Sequence, residues 1–307
     1  MRTTSHSIGS ITYPDEICFA FNPTYVKVTN CSAPSLTVTV SDGMTIHSLS
    51  VMCYNNTCVI NIARTIQLLF DTYNIINERA KSVSVDITNG TTSFSFSTTA
   101  IWGYIAPGER FNGDRTVRWF RNWPMTVSVF NGLHFSERTL ANGNSFVVDS
   151  VWDFTFDYTF HHVGSQVVNV VVDNSTDGVF LRWVDRHGRL QFWLFEKGMK
   201  ETKNNKGGNE LTMNYVDTNG NSFRNIKRQQ YFFSEISLNL CAPNVTEEEY
   251  TMLESILTSP VIDLYHPDTV VGWEPVRIAK GTNKRSTDVL QDFEFEIELP
   301  NINAQSL

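Results

Sequence analysis

The chain has 307 residues, longer than one typical domain, so two domains are the natural expectation and a single large all-β domain the alternative. With 41% hydrophobic and 12% aromatic residues it can bury a substantial core, which excludes global disorder. Nucleic-acid affinity rests on cations meeting phosphates, so a formal charge of -8 without a Lys/Arg stripe argues against sequence-specific nucleic-acid binding.

The first residues, MRTTSHSIGSITYPDEICF, lack the apolar run of a secretory signal, and no later apolar stretch is long enough to span a bilayer. The expectation is a soluble cytosolic product without membrane insertion. Five cysteines (Cys18, Cys31, Cys53, Cys58, Cys241) form an odd set without C-x-x-C spacing, which fits neither a disulfide framework nor a zinc site. Cys53 and Cys58 bracket Tyr-Asn-Asn-Thr and could face each other across a hairpin, although a reducing compartment would keep them as thiols. Asn30, Asn55, Asn89, Asn174 and Asn244 match the glycosylation pattern N-x-[ST]; without a secretion signal they read as turn and strand residues.

Period-two alternation dominates. Leu36–Val40, Val83–Ile87 and Ser93–Ser97 each put apolar side chains on one face and small polar ones on the other. Asp42-Gly43, Asn89-Gly90, Asn112-Gly113, Asn131-Gly132, Asp177-Gly178, His187-Gly188 and Asn219-Gly220 supply turn chemistry. The fold class expected is therefore all-β dominated, a β-rich α+β chain of antiparallel sandwich or tube-like domains with two short helices. Ile62, Ile66, Leu69, Phe70, Tyr73 and Ile76 recur at helical steps and predict a helix over about 61–79. Turn residues at Asn142-Gly143-Asn144 suggest a boundary between domains 1–142 and 143–307.

Asp153 and Asp157 alternate with Trp152, Phe154, Phe156 and Tyr158, which reads as a solvated face over an aromatic core. At roughly 13 Å along a strand the two carboxylates are too far apart for either glycosidase geometry. His161 and His162 are adjacent and would point to opposite strand faces, so they cannot share one metal. His187 lies in a turn near Asp185. The stretch 197–211, rich in Lys, Asn and Gly, has no periodicity and reads as a mobile loop suited to partner contact or proteolysis. Thr246 and Glu249 make a capping box, Ser259-Pro260 a stop, and together they predict a second helix over about 247–258. In the last strand Phe293, Phe295, Ile297 and Leu299 alternate with Asp292, Glu294, Glu296 and Glu298. That acidic face must be wet, either as ordinary solvent face or as the wall of an aqueous channel carrying a polyanion.

No G-x-S-x-G elbow, P-loop, dinucleotide fingerprint or zinc-like ligand spacing is present, so no catalytic, cofactor or metal residues are assigned and a non-enzyme is expected. The hairpin 180–196 and the segments 250–267, 272–281 (GWEPVRIAKG) and 288–300 (DVLQDFEFEIELP) resemble structural proteins of tailed-bacteriophage and prophage tail modules, of the distal-tail or baseplate-hub type. The pattern is a helix ending in Ser-Pro, a short strand with a Tyr, a Trp-x-Pro-Val strand and a last strand rich in Phe and Glu. It covers roughly 180–300, with Arg115–Phe130 in keeping. The resemblance implies a virion tail subunit assembled in the host cytoplasm, forming a ring, commonly sixfold, that joins the tail tube to the adsorption apparatus. Its partners would be copies of itself and the tube, hub and receptor-binding proteins. The competing reading is a carbohydrate-binding β-sandwich or receptor-contacting appendage, with Trp102, Trp119, Trp123 and Trp152 stacking on sugars; a β-scaffold hydrolase is the third.

Overall fold

The computed structural model describes residues 1–306 except 107, 108, 110, 112, 141, 155–159, 217–222, 268, 269, 271 and 282–287. For 150–154, 160–163, 213–216, 223–226 and 301–306 it describes the backbone alone. Strands dominate and helices are short, as the alternation predicts. The chain opens with β1 (Arg2–His6), β2 (Gly9–Tyr13), β3 (Ile17–Phe19) and β4 (Tyr25–Thr29). Next come β5 (Ser35–Ser41), β6 (Ile46–Met52), β7 (Thr57–Asn61), α1 (Ala63–Gln67), β8 (Ala80–Thr88) and β9 (Ser93–Ile101). Two sheets result, in the orders β1-β2-β4-β7 and β3-β9-β8-β5-β6. Leu36, Val38, Val40, Val83, Val85 and Ile87 are buried from the second sheet, and Ile11, Val26, Val28 and Ile60 from the first. Each such side chain contributes about 1.5–3 kcal/mol on leaving water. The sheets meet where Tyr13 packs on Phe94 and Phe96, with ring centroids 5.4 and 4.8 Å apart.

Further along lie β10 (Arg115–Phe120), β11 (Thr126–Phe130), β12 (Phe135–Thr139), β13 (Phe146–Phe154) and β14 (Phe160–Asp173). β11 and β12 form a hairpin, and the other three a sheet in the order β10-β14-β13. Most pairings are antiparallel, but β3–β9 and β10–β14 run parallel, which the turn signals did not foretell. The last elements are β15 (Val179–Val184), β16 (Leu190–Val216), β17 (Phe223–Val245), α2 (Glu247–Glu254), β18 (Ile262–Tyr265), β19 (Trp273–Gly281) and β20 (Gln291–Ser306). These six strands close a barrel in the order β15-β16-β17-β20-β19-β18. Phe180, Phe195, Leu238, Leu240, Phe295 and Ile297 are buried there. Arg182 and Asp263, on neighbouring strands, are joined by Nε–Oδ2 and Nη2–Oδ2 contacts of 2.9 and 2.8 Å, and the guanidinium lies 4.1 Å from the Trp273 ring centroid.

The contacts divide the chain into two units: 1–176 with 183–192, and 177–182 with 193–307. The expected cut at Asn142-Gly143-Asn144 is not where the chain divides, because β10 before it and β13 after it both pair with β14. The predicted helix over 61–79 is also corrected, since α1 ends at Gln67. Asp71 Oδ1 accepts the Tyr73 amide at 2.9 Å, and Asn74 Oδ1 accepts the Asn77 side-chain amide at 2.7 Å. Such short polar side chains compete with helical hydrogen bonding. Ile62, Ile66, Leu69 and Phe70 are nonetheless buried, whereas Tyr73 is fully exposed. The second helix matches: α2 carries the Thr246–Glu249 capping box and runs into a 3-10 turn, Ser255–Thr258.

Candidate functional site

The four carboxylates of β20 stand on the outside of the barrel. Phe293, Phe295 and Ile297 point inward, with Phe195 and Phe295 in edge-to-face contact at 4.9 Å, so Asp292, Glu294, Glu296 and Glu298 point away. They are not an unrelieved row of like charge. The antiparallel register sets Arg277 opposite Glu298, with a 2.9 Å ion pair, and Lys280 opposite Glu296 at 4.0 Å. Asp292 accepts the Asn244 amide at 2.9 Å. The two cations are themselves 72% and 84% exposed, so these pairs neutralise charge but add little stability. On the other flank Cys241 lies opposite Glu294. Burial first, then the carboxylates of Glu294, Asp292 and Glu196, push its thiol up to about 11. A shallow groove of about 480 Å³ runs here between Met199, Cys241, Lys280, Glu294 and Glu296.

Residues 197–211, expected to be a mobile loop, are strand. β16 and β17 pair from Glu196↔Cys241 out to Val216↔Phe223, and β20 follows β17 as far as Tyr231↔Ser306. The result is a ribbon of three strands for part of its length and two beyond it. β15 has six residues and β19 nine, far fewer than the 27 of β16 and the 16 of β20. Among the described residues, most of the outer edge of β16 and the end of β20 therefore have no strand beside them. A register shift between Gly207 and Glu210, with Gly208 at φ +72°, marks a bulge. Tyr231 and Phe232 are adjacent and so point to opposite faces, and both are exposed, as are Met199 and Leu211. Residues 197–234 hold seven Lys and Arg against three Asp and Glu, a net of +4 in a chain of -8.

The remaining sequence candidates fare differently. Asp157, and the side chains of Trp152, Asp153, His161 and His162, lie outside the described residues. Trp102 and Trp119 are buried, and Trp123 is half-buried, its Nε1 donating to the Ser175 carbonyl at 3.2 Å. The buried tryptophans cannot stack on a sugar where they stand. His187 faces Glu109 at 3.2 Å. Burial alone would raise the Glu109 carboxyl, but His187, the Ala106 amide and Arg186 outweigh it and hold the group below its usual range.

Sequence reading missed a polar knot in the first unit. Ser128 Oγ receives hydrogen bonds from Arg79 and the Leu190 amide at 2.9 Å and donates to Glu137, while its carbonyl accepts Arg115 at 2.7 Å. Arg79 also pairs with Glu137. Burial, then repulsion from Arg189, lowers the Arg115 guanidinium to about 9. These residues are far apart in the chain, so no spacing rule joins them. Among the described residues no group of three His, Cys, Asp or Glu side chains is placed to hold a metal ion, and no helix is long and apolar enough to cross a membrane. Comparison with protein-family models and with curated proteins gives no match.

Proposed function

We propose that the protein is a structural subunit of a tailed-bacteriophage or prophage tail, of the distal-tail or baseplate-hub kind, whose role is to assemble with copies of itself into a ring joining tube and adsorption apparatus. The observation that supports self-association is the β16–β17–β20 ribbon. An open strand edge is a template for another strand, and a ribbon with both faces wet has no packing use within its own barrel. Its occupant is a second copy, because a +4 ribbon meets an acidic chain whose barrel carries Asp292 and Glu294 exposed on its outside. The sugar-binding alternative gains nothing from Trp102 and Trp119, which are buried.

Light scattering and negative-stain microscopy of the purified chain test the reading. A ring or other defined oligomer is expected; a strict monomer at high concentration would refute it. Because Lys203 pairs with Glu235, residues 204–234 can be replaced by Asn-Gly to close a shorter hairpin. The shortened protein should keep its β-sheet circular dichroism and lose assembly.

A further inference from the structure

Three of the cysteines converge at one end of the two-sheet sandwich. Both connections that cross between the sheets at this end carry them: Cys31 lies between β4 and β5, and Cys53 and Cys58 flank the turn between β6 and β7. The turn is tight, with Asn55 and Asn56 at φ 46° and 54°, as a two-residue type I′ hairpin requires. Tyr54 and Thr57 exchange both backbone hydrogen bonds, at 2.8 and 2.9 Å. Cys53 and Cys58 are the next residues out on either side of that bridge, and the Cys53 amide donates to the Pro34 carbonyl at 2.8 Å. Residues that flank a two-residue hairpin in this way begin about 4.5 Å apart at Cα in a regular ladder, inside the range a disulfide spans. The Cys31 amide donates to the Asn56 carbonyl at 2.9 Å, which ties the third cysteine to the same turn. The Cys53 thiol lies close enough to those of Cys31 and Cys58 to perturb both, and all three are free thiols.

We propose that Cys53 is the shared partner of a thiol modification site, which a small-molecule disulfide oxidises to a Cys53–Cys58 bond and which thiol exchange can pass on to Cys31. Cys31 and Cys53 are partly exposed and Cys58 is buried, so a reagent from solvent meets Cys53 before Cys58. The Cys53 thiolate attacks one sulfur of the reagent, a mixed disulfide forms and one small thiolate leaves. Cys58, as thiolate, then attacks the Cys53 sulfur and expels the second. Two protein thiols and one small disulfide thereby become one protein disulfide and two small thiols. Attack by Cys31 on Cys53 would free Cys58 and move the clip from one hairpin to the two crossing connections. Burial first, then the neighbouring Cys53 thiol, push Cys31 up to about 11, so that exchange accelerates as pH rises.

The full chain, incubated with oxidised glutathione and then alkylated with N-ethylmaleimide, reads the outcome by peptide mass mapping. Three of the five thiols should be alkylated, with a cross-linked peptide containing Cys53 and a loss of two hydrogens. C31S should still close Cys53 to Cys58, and C53S should leave its four remaining thiols free. Five alkylated thiols, glutathione retained on Cys53, or a disulfide that persists in C53S would each overturn the assignment.

Discussion

At the scale of single residues, the strongest local devices are carboxylates and amides that turn the chain and hold a charge at once. Asp42 Oδ1 accepts the Met44 and Thr45 amides at 3.0 and 2.7 Å, while Oδ2 meets Lys81 Nζ at 3.0 Å. Both side chains are nearly buried, at 10% and 9% exposure. Burial would raise the carboxyl, but the Thr45 amide, Lys81 and the Met44 amide outweigh it and lower it. A depressed folded value means that the stabilisation is present above the unfolded value near 4 and is lost as pH falls through the folded one. D42N should therefore cost about 2 kcal/mol at pH 7 by urea unfolding, since it takes one charged partner from an ammonium that keeps Glu78 and the Leu69 carbonyl, and the gap to wild type should close below about pH 4. The turn half of this was readable: Asp42-Gly43, Asn89-Gly90 and Asn131-Gly132 all build four-residue loops in which the Asx oxygen accepts two following amides. The Lys81 partner was not, because it lies 39 residues away on another strand. By the same logic R79A, which leaves Glu137 unpaired beside a buried hydroxyl, should destabilise by about 3 kcal/mol in the same assay.

At the scale of elements, alternation is legible only where one face is buried. β5 and β8, with Leu36, Val38, Val40, Val83, Val85 and Ile87 against the core, were plain from the sequence. The β16–β17 ribbon hid because its described side chains are mostly exposed on both faces, so Lys, Asn and Gly replace the apolar half of the pattern and only the backbone ladder defines the strand. Helical spacing misled in the opposite way at 61–79, where α1 ends at Gln67, Asp71 and Asn74 build local turns beyond it, and Leu69, Phe70 and Ile75 reach the core from those turns. Within the ribbon, a Cβ at Gly207 would run into the Tyr231 ring. G207V should push that ring aside and loosen the ribbon locally. Hydrogen exchange should rise several-fold in amides near 205–210 and 229–233, while the barrel amides of 238–242 keep their protection; a uniform rise across both would show that ribbon and barrel open together.

At the scale of the whole molecule, charge distribution says more than net charge. The overall -8 conceals a ribbon of +4 and a remainder of -12, a segregation visible in the sequence once the ribbon's limits are known and invisible while 197–211 reads as loop. The division into units was equally out of reach, because β10–β14 is a parallel pairing between distant strands that bridges the Asn142-Gly143-Asn144 turn cluster. If the ribbon of one copy meets the acidic surface of another, association is partly electrostatic and must respond to screening. The Debye length falls from about 14 Å at 0.05 M salt to about 4 Å at 0.5 M. Sedimentation velocity across that range should show the assembly weakening, with a dissociation constant raised on the order of tenfold, while the folded baseline stays fixed. Strand pairing and contacts of Tyr231, Phe232 and Leu211 are insensitive to screening, so some association should survive. Assembly that tightened with sodium chloride would mean that apolar contact governs it, and that the ribbon's cations meet something other than an acidic copy of the same chain.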